Sequence, residues 1–97
     1  MSLIRINEFV AAPGKAAALR SFLEELVPFI RSSSGCKGVE LASCLEDGGR
    51  FVVVETWDSK ESHAASLANY PRERMEAGRQ LIGAPPKGEF FERSEFE

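Results

Sequence analysis

The run from Arg50 to His63, R-F-V-V-V-E-T-W-D-S-K-E-S-H, restricts this chain more than any other stretch. Phe51, Val53, Glu55 and Trp57 alternate with Val52, Val54 and Thr56. Strand side chains point to opposite faces in turn, so this strand is largely apolar on both faces and must be covered on both. Asp58 and Ser59 follow with short oxygen-bearing side chains suited to capping a helix start. Glu61, three residues after Asp58, makes a loose capping box. The pattern predicts a strand feeding directly into a helix, with Trp57 at the junction.

The neighbouring segments build around this unit. Leu3 to Ala11 alternates and reads as a first strand, ended by Pro13-Gly14. From Lys15 to Ser32 the apolar residues Ala16, Leu19, Phe22, Leu23, Leu26, Phe29 and Ile30 recur at three and four, an amphipathic helix. Pro28 removes the bond to the Glu24 carbonyl and predicts a kink or an early end; Ser32-Ser33-Ser34-Gly35 terminates the helix. Cys36 to Leu45 is the second strand, with Val39 and Leu41 on one face. Asp47-Gly48-Gly49 signals a hairpin into the third. Ser59 to Asn69 is a second helix, interrupted at Tyr70-Pro71. Arg72 to Ile82 continues as further helical turns, with Met75, Arg79 and Ile82 on one stripe and Gly83 as the stop. Ala84-Pro85-Pro86 is extended, and Gly88 to Phe96 alternates as a fourth strand.

The order β-α-β-β-α-β predicts an α+β, ferredoxin-like fold with a four-stranded antiparallel sheet, in one domain over 1–97. Two helices cover one sheet face. Nothing in the chain is left for the other, where Val52 and Val54 point, so a second copy packed sheet to sheet is expected: a homodimer. The net charge of −3, with both signs well mixed, gives no basic face for nucleic acid. No apolar run approaches the ~20 residues that span a bilayer, and the N-terminus reads as a strand, not a secretory leader. Two cysteines, Cys36 and Cys44, would lie about 26 Å apart on one straight strand, too far for a disulfide. Reduced thiols fit a cytoplasmic protein.

The segment E-T-W-D-S-K-E-S-H resembles the E-x-W-x-S-x-E-A segment of the antibiotic biosynthesis monooxygenase (ABM) family of small dimeric α+β barrel proteins. Leu26-Val27-Pro28 followed by Gly35-Cys36 is similar to the family's L-V-x…P-G-C passage, and Pro13-Gly14-Lys15 to its P-G-K turn. The three patches occur in family order and span most of the chain. The resemblance implies the dimeric barrel, and oxidation of an electron-rich aromatic such as a quinol or polyphenol without metal or flavin.

Residue chemistry gives a short list of candidates. No metal-ligand spacing, glycine-rich phosphate loop or nucleophile elbow is present, so no metal or cofactor is assigned. Trp57 is either a core plug or an aromatic pocket wall whose N–H orients a ligand oxygen. Asn7 places a side-chain amide on an interior strand, where it needs a hydrogen-bond partner. It resembles the strand-one asparagine of haem-degrading and of some cofactor-free members. His63 is the only side chain here whose ordinary pKa suits general-base work near neutrality. The haem-degrading members carry their ligand histidine where this chain has Ser66 and Leu67, which disfavours haem ligation. Phe22, Tyr70 and Arg72 are the candidate contacts for a small aromatic ligand. The leading expectation is a cofactor-independent monooxygenase with Asn7, Trp57 and His63 as catalytic residues. Its alternatives are a non-enzymatic dimeric ligand-binding or interaction domain of the same fold, and a haem-degrading monooxygenase.

Overall fold

Burial along β3 (Arg50–Trp57) alternates residue by residue in the computed structural model, which describes residues 3–94. Phe51, Val53, Glu55 and Trp57 are buried, while Val52, Val54 and Thr56 are only half-buried. The other elements are β1 (Leu3–Val10), α1 (Ala16–Arg31), β2 (Cys36–Ser43), α2 (Lys60–Asn69), α3 (Arg72–Arg79) and β4 (Lys87–Glu92). The strands form one antiparallel sheet in the order β2-β3-β1-β4. This is the expected ferredoxin-like arrangement, with the second helical stretch divided into α2 and α3.

Register sorts the side chains onto two faces. Opposed residues in a sheet share a face. Arg5 opposes Glu55, Asn7 opposes Val53 and Phe9 opposes Phe51. From β2, Val39 and Leu41 oppose Glu55 and Val53. From β4, Phe90 opposes Arg5 and Gly88 opposes Asn7. This inner face meets α1, whose Leu19, Leu23 and Ile30 are buried with Phe51, Val53 and Trp57 as the core. The outer face carries Ile4 and Ile6 beside Val54 and Thr56, with Phe91 45% exposed. No helix of the described residues lies on it.

Several boundaries differ from expectation for local reasons. Pro28 does not end α1, which runs on to Arg31, and the Ser32 N–H donates to the Pro28 carbonyl at 3.1 Å. Glu24 and Pro28 are exposed, so water can take the carbonyl the proline leaves free. The cap of α2 is Ser59, whose Oγ accepts the Ser62 N–H at 3.1 Å, so Ser62 and not Glu61 holds the reciprocal position. β2 ends at Ser43, which leaves Cys44 in the hairpin; both cysteines are free. α3 stops at Arg79, because the chain is drawn back to β1. There Leu81 accepts the Ala12 N–H at 2.9 Å, and the Gly83 N–H donates to Val10 at 2.7 Å. β4 ends at Glu92; Arg93 and Ser94 are not in the strand, and Phe96 lies outside the described residues.

Gly35 joins the two halves of the fold. Its φ is +88°, and its carbonyl accepts the Asp58 N–H at 2.9 Å. A Cβ there would overlap the Asp58 and Ser62 side chains at the start of α2. Gly14 also has a positive φ, +76°, but open space around it. Left-handed backbone costs a non-glycine residue about 1–2 kcal/mol. Gly14→Ala should therefore lose about that much in urea unfolding, and Gly35→Ala clearly more. Equal losses would show that the contact with α2 contributes nothing.

Candidate functional site

A glutamate on the inward face of a central strand must find hydrogen-bond donors or stay protonated. Glu55 is 4% exposed, between the core residues Val53 and Trp57. The two-residue spacing that sends Glu55 inward sends Trp57 to the same face, and the Trp57 Nε1–H donates to Glu55 Oε1 at 2.8 Å. From β1, Asn7 Nδ2 donates to Glu55 Oε2 at 2.8 Å. Arg5 Nε in turn donates to Asn7 Oδ1 at 3.0 Å, which fixes the amide orientation. Each carboxylate oxygen thus has one donor.

Burial nevertheless dominates. It raises the Glu55 pKa above the ordinary 4.5, against the opposing pull of the Trp57 bond, the Arg5 charge and the Asn7 bond. His63 reaches the same carboxylate from α2, with Nε2 3.9 Å from Oε1. That separation is too long for a hydrogen bond. Its ring lies edge-on to Trp57 and to Phe90, at centroid distances of 5.6 and 5.2 Å. Burial first, and the Arg5 charge second, hold the His63 pKa below its ordinary value, which favours the neutral imidazole.

This polar cluster forms one end of a cavity of about 540 Å³ between the sheet and the helices, in the size range of small-molecule sites. Arg5, Asn7, Glu55, His63 and Ser66 supply the polar groups. Apolar wall comes chiefly from Phe9, Leu19, Phe22, Leu26, Phe29 and Ile82. Tyr70 packs edge-on against Phe29 at 5.0 Å and also lines the cavity. The exposed Leu67, Arg79, Pro85 and Pro86 stand at its rim.

Asn7, His63, Phe22 and Tyr70 therefore converge on one cavity. Trp57 does not line it. Its ring is 1% exposed in the core, and its N–H is bonded to Glu55, so the donor expected for a ligand oxygen is taken by the carboxylate. Arg72, at the start of α3, also falls outside the lining; Arg79, at the end of the same helix, stands at the rim, and Arg5 lines the polar end. Glu55 and Arg5 were not among the sequence candidates. The signal for both is polar residues at inward positions of apolar strands, the reasoning that singles out Asn7.

At the positions where haem-degrading relatives carry their histidine, Ser66 bonds Ser33 Oγ at 2.7 Å and Leu67 is an exposed rim residue. Neither side chain ligates iron, so the residues present do not fit histidine-held haem at that place. Among the described residues no group of three His, Cys, Asp or Glu could hold a metal ion.

The sequence profile of the family described as antibiotic biosynthesis monooxygenase matches residues 2–77. The chain belongs to the ABM family. No curated protein matches it by sequence. Among solved structures it is similar to PA3566 from Pseudomonas aeruginosa, with 26% identity over 97% of this chain and 95% of that one, and a TM-score of 0.87. Rv0793 from Mycobacterium tuberculosis gives 19% identity over 99% and 98% of the two chains, at a TM-score of 0.85. SnoaB, a cofactor-independent oxygenase from Streptomyces nogalater, gives 18% identity over 98% and 95%, at 0.82. The latter two likenesses establish the ABM fold alone. The E-x-W element of this ABM chain has a direct physical content: its tryptophan holds its glutamate.

The raised Glu55 pKa has a consequence for stability. A group that binds its proton more tightly when folded contributes stability at low pH and loses it as pH rises through the folded pKa. Wild type should lose stability relative to Glu55→Gln as pH rises from about 4.5 toward neutrality, as urea midpoints at several pH values would measure. A difference that is flat with pH, or that widens in favour of wild type, would contradict a carboxyl group held partly protonated by burial.

Proposed function

We propose that this ABM domain is a cofactor-independent monooxygenase acting on an electron-rich aromatic of the quinol or polyphenol type. The observation that carries the reading is the buried Glu55 carboxylate at the polar end of an apolar cavity, its proton affinity raised by burial. A base is what such a reaction needs from the protein, since ionisation makes the ring a better electron donor. Sequence reasoning gives this role to His63 or a water. Glu55 is the better placed group, with neutral His63 beside it as a second proton carrier. SnoaB, described as a cofactor-independent oxygenase on the same fold, supports the reading by analogy.

In the proposed reaction, Glu55 takes the hydroxyl proton of the aromatic. The phenolate passes one electron to dioxygen, and the two radicals combine in a carbon–oxygen bond. Protonation gives a ring hydroperoxide. Loss of the ring proton to base breaks the oxygen–oxygen bond, leaves a carbonyl and releases the distal oxygen as water. For a quinol the sum is quinol plus dioxygen to hydroxyquinone plus water, with all four electrons drawn from the ring. Asn7 has a second amide hydrogen for the developing oxygen anion, and the apolar wall excludes water from it. Trp57 serves by fixing Glu55.

Oxygen consumption with a panel of dihydroxy-aromatics tests this. Glu55→Gln should lower turnover about 100-fold or more. Asn7→Ala should lower turnover more than it lowers stability. Trp57→Phe, which keeps the ring volume but loses the donor, should fall between them. Absence of uptake with every substrate, or equal rates in all four proteins, would favour a ligand-binding domain without catalysis.

The homodimer is part of the same proposal. Ile4, Ile6, Val52, Val54 and Phe91 give the outer sheet face an apolar character that a second copy would cover. An obligate interface on the order of 2,000 Å² is expected. Light scattering at micromolar concentration should give twice the chain mass, and Val54→Asp should return the monomer. A monomeric wild type would remove this part of the proposal.

A further inference from the structure

Arg5 is a charged side chain built into the inner sheet face. It is half-buried and lines the polar end of the cavity. Three neighbours fix it. Asn7 Oδ1 accepts its Nε–H at 3.0 Å. The guanidinium lies over the Phe90 ring, with Cζ 4.7 Å from the centroid, a cation–π arrangement. Gly88, opposite Asn7 on β4, leaves the space it occupies: a Cβ at Gly88 would overlap the Arg5 guanidinium and the Asn7 amide oxygen. A side chain at position 88 would displace the arginine.

The charge so placed is not consumed by the protein. Among the described residues no carboxylate lies within salt-bridge distance of Arg5, and its terminal guanidinium nitrogens make no hydrogen bond. Glu55 is close enough to feel the charge, but Asn7 stands between the two, accepting from one and donating to the other. A second cation, Lys60 Nζ, lies 5.4 Å from the same Phe90 ring. A guanidinium with free, preoriented donors at the polar end of a largely apolar cavity is a receptor for a planar anionic oxygen group.

We propose that Arg5, held in place by Gly88 and Phe90, is the anchor for an anionic oxygen on the ligand, so that this site takes aromatic phenolates or carboxylates in preference to neutral aromatics. The inference uses the cavity of the oxygenase reading and deepens it by naming the ligand's charge. An anchored phenolate would also be set with its ring toward the apolar wall and its reacting edge near Asn7 and Glu55.

Calorimetric binding of three matched probes tests the proposal without any turnover: naphthoate, a nitronaphthol ionised at neutral pH, and the neutral naphthalene carboxamide. At least one anion should bind about tenfold or more tightly than the carboxamide, the discrimination expected of a charge-assisted bond. Preference for naphthoate assigns carboxylates, and preference for the naphtholate assigns phenolates. Arg5→Met should abolish the preference and Arg5→Lys should retain part of it. Gly88→Ala, which displaces the guanidinium with the charge intact, should weaken anion binding more than carboxamide binding. Equal affinity of wild type for all three probes, no binding of either anion, or an unchanged preference in Arg5→Met or Gly88→Ala would overturn the proposal. No arm depends on oxygen, so a failed oxygenase reading and a failed anion anchor give different results.

Discussion

The arrangement of the candidate site depends on one constraint, the burial of the Glu55 carboxyl group on the inner face of β3. An ionised carboxylate in that position is costly, and two good hydrogen bonds offset only part of the cost. The result is a group whose proton affinity is raised although two donors and a nearby guanidinium all pull the other way. Those donors are bound in turn. Trp57 gives its indole N–H to one oxygen and Asn7 gives its amide to the other, with Arg5 setting the amide's direction. Removing any one would leave a buried polar atom without a partner, so the cluster acts as a unit.

The sheet makes this unit possible. β3 and β1 are adjacent and antiparallel, which sets Arg5 opposite Glu55 and Asn7 opposite Val53. A slip of one residue would turn Arg5 and Asn7 to the outer face and bring Ile4 and Ile6 inward. Hydrophobic burial of Phe9, Phe51 and Val53 therefore fixes the register, and the register places the polar groups. α1 supplies the apolar wall through Leu19, Phe22 and Leu26, and α2 brings His63 across the end of the sheet. Packing and chemistry share the same strands.

The two sheet faces differ in kind. The inner face is covered by helices yet interrupted by a cavity with a polar end. The outer face sets Ile4, Ile6, Val52, Val54 and Phe91 among the charged Glu8, Glu40 and Glu89, and leaves Val10 and Phe91 41% and 45% exposed. Apolar side chains left exposed on a sheet face are the kind of surface that association covers. Such a division would leave each copy's cavity in its own helical layer while the sheets provide the common core.

The sequence by itself determined the strand and helix order, the inner and outer faces of β3, and the inward aim of Asn7. Those follow from local periodicity, where the period of two or of about 3.6 is written in consecutive residues. It also carried the E-x-W element, and with it the family. Tertiary structure alone decided the use of these residues. Trp57 proved to be spent on Glu55, because the tryptophan's only donor points along the strand to the residue two before it. Arg72, at the start of α3, is not a cavity residue, whereas Arg79, at the end of the same helix, came to the rim. Pro28 did not end α1, and Glu24, whose carbonyl it leaves without that partner, is an exposed residue. Alternation sets Arg5 and Glu55 on strand faces with apolar neighbours, but nothing local joins them. They become an interior pair separated by an asparagine only when residues some 50 positions apart are brought into register, a distance in sequence that no local pattern spans.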